Sequence, residues 1–297
     1  MTYDDVSAPG PDLTMADPVR PVQPPSSRHV EARLTFARGG GTTVLGRQEV
    51  PYPFHITRAF RLQPDAPDLA TLYLQSASGG LYRGDRLGLS VDVRAGARVH
   101  VTTQSATVVH NTGSAPARQA TRLEIGPGAF LALDPDPLIL FPGAALGLDT
   151  HVTLAEGARA IVTEGIAHHD PRGEGRPFAQ LDIALTIADA GGRLRVAERG
   201  QIDGADWAAR SSPLGTYRAY GSMLVLAAEG ILPETGRLQA AADEAGCLGG
   251  MSPLPNGAGL GLRLLAPDGG RLSAGLQAAF AVAFTALAGT VPGRRRK

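Results

Sequence analysis

Cysteine is nearly absent from this 297-residue chain, which contains one, Cys247. A single thiol cannot form an intramolecular disulfide or a cysteine-rich zinc site, so the sequence predicts neither. A lone cysteine of this kind is more typical of packing than of nucleophilic catalysis. The chain is consistent with a reducing cytoplasm, and its first residues, with two early aspartates and no apolar segment, do not resemble a signal peptide.

The chain also lacks an excess of either positive or negative charge. The 28 lysines and arginines match the 28 aspartates and glutamates, which gives a formal net charge of zero. Nucleic-acid binding usually needs a basic excess, because phosphate contacts supply most of the non-specific affinity, so we predict no nucleic-acid partner. Aromatic residues make up 5% of the chain, against 38 glycines and 23 prolines. This balance indicates many short elements joined by tight turns.

A long uncharged segment, Leu272–Gly293, is sufficient in length to span a bilayer. Its large apolar residues recur at helical spacing on one side, while Ser273, Gln277 and Thr285 lie on the other. A polar face favours a helix docked on a domain over a membrane anchor, so we predict no membrane partner. A second helix is predicted within Pro233–Gly246, which has proline and glutamate near its start and glycine at its end.

Strict apolar/polar alternation marks the strands. "RLGLSVDV" and "ARVHV" form two such runs joined at Gly96, and similar Gly-Ala turns follow at Gly128 and Gly157, after 32 and 29 residues. Looser matches to the same pattern occur at Ala188–Val196 and Ala266–Ala274. Either these spacings are coincidental, since Gly-Ala turns are common in β proteins, or they are a solenoid repeat, which we favour. The predicted fold is mainly β, a stacked β-solenoid or β-helix-like body with two C-terminal α-helices.

The domain organisation follows from composition. Residues 1–28 contain six prolines and few large apolar side chains, which predicts a disordered tail. Residues 29–297 carry the alternating runs and both predicted helices. We therefore expect a single β domain over 29–297, with the helical element at its C-terminal end.

Catalytic motifs are missing from the sequence: it has no phosphate loop, dinucleotide fingerprint, nucleophile elbow or zinc-protease helix. The residues alone therefore give no catalytic signature. Asp134 and Asp136 stand two apart and are expected to share a strand face. His168 and His169 form either a solvated turn or a transient metal contact. The run Thr102–Thr107 has hydroxyls and an amide but no base, which suits hydrogen-bonded water or an interface.

Several strings together resemble the family of urease accessory proteins called UreD or UreH. "GGLYRGDRLGLSVDV", "TTQSAT", "LDPDPLILFPGAAL" and "LPNGAGLGLRLLAPDGGRL" occur in the family's order and spacing, and the likeness extends roughly from His29 to Arg296. The chain departs from the family after "TTQSAT", where Val108, Val109 and His110 replace the usual lysine and aromatic. The resemblance implies a β-helical scaffold with two C-terminal helices and no catalytic activity.

The resemblance also implies partners and a cargo. UreD proteins bind apo-urease and the helical accessory protein UreF, which recruits the GTPase UreG, and an internal water-filled passage is thought to conduct Ni²⁺ without holding it as a stable cofactor. Oxygen donors suit such a passage because they bind a hydrated ion weakly. Candidates for lining it are Thr102, Thr103, Gln104, Ser105, Asp134, Asp136 and Glu164, with His168 and His169 as transient contacts.

The partner face that we expect includes Leu276, Phe280 and Phe284 of the last helix. Two alternatives stay open at this point. One is an unrecognised hydrolase that uses Asp134, Asp136 or His168, and the other is a generic β-solenoid binding module.

Overall fold

The computed structural model describes residues 27–227 and 229–294, and its main feature is a pair of β-sheets that face each other. Nearly all of the predicted tail, residues 1–26, lies outside this part of the chain. At the start of the described region, the Arg28 guanidinium pairs with the buried Asp85 carboxylate. This ion pair attaches the beginning of the first strand to the turn that precedes the fifth.

Seven strands form sheet A, and ten form sheet B. In order of pairing, sheet A contains β14 (Leu194–Asp203), β13 (Gln180–Asp189), β11 (Ala145–Leu154), β8 (Ala117–Ile125), β5 (Arg86–Val93), β1 (His29–Gly39) and β2 (Thr42–Glu49). Sheet B contains β16 (Leu248–Pro253), β17 (Leu260–Ala266), β15 (Ala219–Leu226), β12 (Arg159–His168), β9 (Phe130–Asp134), β6 (Arg98–Thr103), β4 (Ala70–Ser76) and β3 (Phe54–Ile56). Two short strands complete it: β10 (Leu138–Leu140) pairs with β12, and β7 (Thr107–Val109) pairs with β10.

Glycine turns carry the chain from sheet A to sheet B in successive coils. Gly96, Gly128 and Gly157 have φ angles of 64°, 63° and 67°, in the left-handed region that glycine adopts without steric cost. The amide of Gly96 donates to the carbonyl of Pro127 at 2.9 Å, and that of Gly128 donates to Glu156 at 3.0 Å. The turns therefore stack on one another, which confirms the predicted solenoid.

The inward faces of the two sheets supply the core. One apolar row crosses sheet A and another crosses sheet B, as the strand registers show: Leu34, Val91, Leu123 and Val152 in the first, and Leu72, Val101, Leu133 and Val162 in the second. All eight side chains are buried. Full burial of one aliphatic side chain stabilises a fold by about 1.5–3 kcal/mol, so these rows explain why the alternating runs form facing sheets.

Three α-helices follow or interrupt the strands: α1 (Gly204–Ala208), α2 (Thr235–Glu244) and α3 (Gly269–Ala288), besides 3₁₀ turns at 229–231 and 255–257. Both predicted C-terminal helices are confirmed. Asp268 caps α3, because its carboxylate accepts a hydrogen bond of 2.8 Å from the amide of Arg271. Gly289, with φ 70°, ends the helix. The short α1 was not predicted.

Helix α3 lies on the outer face of sheet B. By length and composition it qualifies as a candidate membrane span, but half of its most apolar window is buried inside the chain. Leu276, Phe280 and Phe284 are 3%, 4% and 0% exposed, and they belong to the cluster that includes Phe130 and Met223. The expected partner face is therefore misplaced at these three residues, because their side chains point into this chain's own core.

Candidate functional site

A polar layer crosses the interior between the two sheets, at positions where strand alternation requires inward-facing side chains. On sheet B, Glu164 of β12 pairs in register with Ser222 of β15, which pairs with Arg263 of β17. On sheet A, Thr121 of β8 pairs in register with Thr150 of β11, and Glu198 lies on β14; these side chains face the row on sheet B. We call these residues the polar layer: Thr103, Glu164, Ser222 and Arg263 on sheet B, and Thr121, Thr150 and Glu198 on sheet A.

A cavity of about 370 Å³ occupies one end of this layer. Apolar side chains form part of its wall, and its polar lining includes Thr103, Gln104, Ser105, Asp136, Thr150 and Glu164. Ser76, Gly79 and Gln104 also line it and are exposed, so the cavity reaches the surface there. A smaller cavity of about 30 Å³ shares Thr150 and Glu164 with the first and is lined by Glu198 and Arg263.

Glu164 lies at the junction of the two cavities. Burial raises the pKa of its carboxyl to about 7, because the charged form loses hydration between the sheets. The positive charge of Arg263 opposes this rise in the pKa, and the negative charge of Glu198 adds to it. Glu164 is therefore a carboxyl whose protonation changes near neutral pH, and it faces an internal space with oxygen donors around it.

The rim of the larger cavity is held by hydrogen bonds between polar side chains. The amide of Asp136 donates to Thr103 Oγ1 at 2.7 Å, and Thr103 Oγ1 lies 3.3 Å from Asp136 Oδ2. The side-chain amide of Gln75 donates to Gln104 Oε1. Of the predicted passage residues, the structure thus brings Thr103, Gln104, Ser105, Asp136 and Glu164 together around one cavity.

Asp134 and Thr102 belong to a different polar cluster, on the opposite face of sheet B and beneath α3. The hydroxyl of Thr163 donates to Asp134 Oδ1 at 3.0 Å, and that of Thr102 donates to the Asp134 carbonyl at 2.6 Å. His100 Nε2 is 3.9 Å from Asp134 Oδ2, and its ring centroid is 5.2 Å from that of Phe280. We call this group the helix-covered cluster: His100, Thr102, Asp134 and Thr163.

The prediction that Asp134 and Asp136 share a strand face is wrong. Strand β9 ends at Asp134, and Asp136 stands between Pro135 and Pro137, beyond the regular alternation. Asp136 therefore turns to the cavity, while Asp134 accepts its hydrogen bond from Thr163 under the helix. For the same reason of alternation, Thr102 and Thr103 face opposite sides of β6.

The two adjacent histidines lie at the end of β12 and line neither cavity. His168 Nε2 donates to the carbonyl of Arg176 at 3.0 Å, and burial lowers its pKa. His169 is exposed, and its ring centroid is 5.9 Å from that of Phe141. Within residues 27–227 and 229–294, no group of three histidine, cysteine, aspartate or glutamate side chains is arranged to hold a metal ion.

Sequence reasoning missed the far side of the polar layer. Glu198 and Arg263 form an ion pair that joins sheet A to sheet B, and Tyr220 and Ser222 line the smaller cavity with them. Burial raises the pKa of Tyr220 to about 12, so its hydroxyl is neutral. A signal was available: Arg263 interrupts the apolar positions of "LGLRLLA", and Glu198 follows a buried valine by two residues in "VAE".

The comparisons with known proteins identify one family. Residues 28–297 match the family model described as UreD urease accessory protein. The protein named Urease accessory protein UreD 1 of Methylorubrum extorquens (strain PA1) is 63% identical over 285 residues, which cover 94% of this chain and 96% of the relative. Urease accessory protein UreD 3 of Bradyrhizobium sp. (strain ORS 278) is 45% identical, with coverage of 95% and 100%. Urease accessory protein UreD 1 of Pseudomonas syringae pv. syringae (strain B728a) is 35% identical, with coverage of 92% and 97%.

Proposed function

Because this chain belongs to the UreD family of urease accessory proteins, we propose that it is a non-catalytic scaffold for the insertion of nickel into apo-urease. It acts in the cytoplasm, binds apo-urease and the helical accessory protein UreF, and reaches the GTPase UreG through UreF. Ni²⁺ is its cargo, and it holds no cofactor stably. Full-length similarity to relatives named as accessory proteins supports this role over that of a hydrolase.

The observation that carries the proposal is the cavity that ends at Glu164. Its polar wall supplies hydroxyl, amide and carboxyl oxygens, which are hard ligands and bind Ni²⁺ less firmly than clustered histidines or thiolates. A volume of about 370 Å³ leaves room for an ion with several waters, since each water occupies about 30 Å³. In this proposal Thr103, Gln104, Ser105 and Asp136 conduct the hydrated ion from the surface towards Glu164.

The proposal is tested in cells that express the urease subunits and the other accessory proteins, with or without this chain. We expect both urease activity and urease-bound nickel to fall to background when the chain is omitted. Unchanged activity and nickel would reject the maturation role. A pull-down on tagged apo-urease checks the partners, and loss of nickel delivery with retained association would locate the defect in transfer rather than in assembly.

The two alternatives make different predictions. A hydrolase would show turnover with the purified chain alone and would lose it in Asp136→Asn. A generic binding module would associate with urease and leave its nickel content unchanged. The scaffold role requires no turnover by the isolated chain and a nickel content of urease that depends on the chain.

A further inference from the structure

An ion pair lies at the far end of the polar layer and links the two sheets. The Arg263 guanidinium on β17 donates through Nη2 to Glu198 Oε2 on β14. Its Nη1 also donates to the carbonyl of Leu262 at 3.3 Å. The side chains of Arg263 and Glu198 are 32% and 39% exposed, so the pair stands where the interior meets solvent.

Arg263 has a second carboxylate within its neighbourhood. Glu164, Ser222 and Arg263 occupy one register row, so two strand spacings of about 4.8 Å each separate Glu164 from Arg263. The smaller cavity, which both residues line, fills the space between them. A cavity of about 30 Å³ holds about one water, so protein atoms do not completely fill the space beside the two side chains.

Two carboxylates around this space compete for one guanidinium. The charged groups that line the smaller cavity are Glu164, Arg263 and Glu198, and the remaining titratable group there, Tyr220, is neutral. One guanidinium is thus flanked by two carboxylates from different sheets, and it hydrogen-bonds the one on sheet A. A guanidinium that moved to Glu164 would occupy the carboxylate and cancel its charge, which is the charge that a divalent cation needs.

We propose that Glu198 is a positioning residue: by holding Arg263 on sheet A, it keeps the Glu164 carboxylate open to a divalent cation in the larger cavity. This inference rests on the proposed function, since Glu164 matters to a cation only if the cavity admits one. Arg263 is then an internal competitor of the cargo, and the ion pair is the element that restrains it. The inference assigns functional roles to two residues that line only the smaller cavity and do not reach the entrance of the larger one.

The test uses the full chain, expressed with its partners, in three forms: Glu198→Gln, Arg263→Gln and the double variant. Glu198→Gln removes the negative charge that holds Arg263 on sheet A, so we expect Arg263 to turn to Glu164 and urease-bound nickel to fall several-fold. The double variant removes the competitor too and restores nickel to the level of Arg263→Gln, which stays at or above that of the unaltered chain. A defect in Glu198→Gln that the double variant does not repair would overturn the inference, as would Glu198→Gln with unaltered nickel.

A second measurement separates this inference from the proposed function. A crystal structure of the Glu198→Gln variant shows directly whether Arg263 hydrogen-bonds Glu164, and it requires no urease. Arg263 that keeps its original direction in that variant would reject the inference even if nickel delivery falls. If omitting the whole chain leaves urease nickel unchanged, the proposed function fails, and the crystal structure still decides whether the two glutamates compete for Arg263.

Discussion

Sheet B carries polar side chains on both faces: those of the polar layer on its inner face and the helix-covered cluster on its outer face. The two groups use the same strands but differ in what covers them. Thr163 and Glu164 are neighbours on β12, yet the Thr163 hydroxyl bonds to Asp134 under α3, while Glu164 borders both cavities. A buried polar group destabilises a fold unless it finds a partner, and in the helix-covered cluster the hydroxyls of Thr163 and Thr102 supply hydrogen bonds to Asp134. The polar layer instead borders an internal space. The first arrangement serves stability, and the second is where we propose that a hydrated ion passes.

The largest effect that we expect comes from removing the cover of the helix-covered cluster. Phe284 is fully buried and lies with its ring centroid 5.5 Å from that of His100. Phe284→Ala should destabilise the chain by about 3–5 kcal/mol, because the cavity left behind adds to the lost burial. Urea unfolding measures this change. Thr285→Ala, an exposed position on the same helix, is the control and should alter stability by less than about 0.5 kcal/mol.

A smaller effect, dependent on pH, should come from the polar layer. The folded chain holds a proton on Glu164 up to a pKa of about 7, whereas the unfolded chain releases it near 4.5. Between these pH values the folded state binds more protons, so stability falls as pH rises, by roughly 3 kcal/mol in total. Glu164→Gln should remove this dependence, and exposed Glu174→Gln should retain it. Equal slopes of unfolding free energy against pH in the two variants would contradict the buried environment of Glu164.

The smallest expected effects come from a matched pair of threonines. Thr163→Val deletes the hydrogen bond to Asp134 Oδ1, and a loss of about 1–3 kcal/mol should follow. Thr150→Val changes a hydroxyl that borders both cavities and should alter stability by less than about 1 kcal/mol. In cells, the order of the two effects should be reversed. Thr150→Val should reduce nickel delivery more than the small change in the stability of that variant predicts. Parallel changes in stability and delivery at both positions would remove the distinction between the two groups.

Much of the fold was predictable because it depends on short-range pattern. Alternation located strands β5 and β6, the glycine turns at Gly96, Gly128 and Gly157 set the period, end signals located α2, and the helical spacing of apolar residues located α3. The two looser matches to the repeat have other structures. Ala188–Val196 contains the hairpin turn between β13 and β14, and Ala266–Ala274 includes the start of α3. A Gly-Gly pair is compatible with a solenoid turn, a hairpin turn or the start of a helix, so the pair alone does not specify which of them forms.

The candidate site was predictable only in part. Polar residues in the "TTQS" segment and at Glu164 stood out, but which face each one takes depends on where a strand ends, as Asp134 and Asp136 demonstrate. Glu198 and Arg263 are 65 residues apart, and only the pairing of β12, β15 and β17 brings Arg263 into one row with Glu164. The apolar residues of α3 gave its helical period correctly, but the same pattern cannot tell a core face from a partner face.

The most direct test of the central claim compares two glutamates at equal levels of the soluble chain. Glu164→Gln removes the carboxyl at the junction of the cavities, and Glu174→Gln makes the same chemical change at an exposed site outside them. The measurement is nickel bound per urease active site in cells that contain all the other components. We predict several-fold less nickel with Glu164→Gln and an unchanged amount with Glu174→Gln. Equal nickel in both variants would contradict the claim that the larger cavity conducts the ion to Glu164.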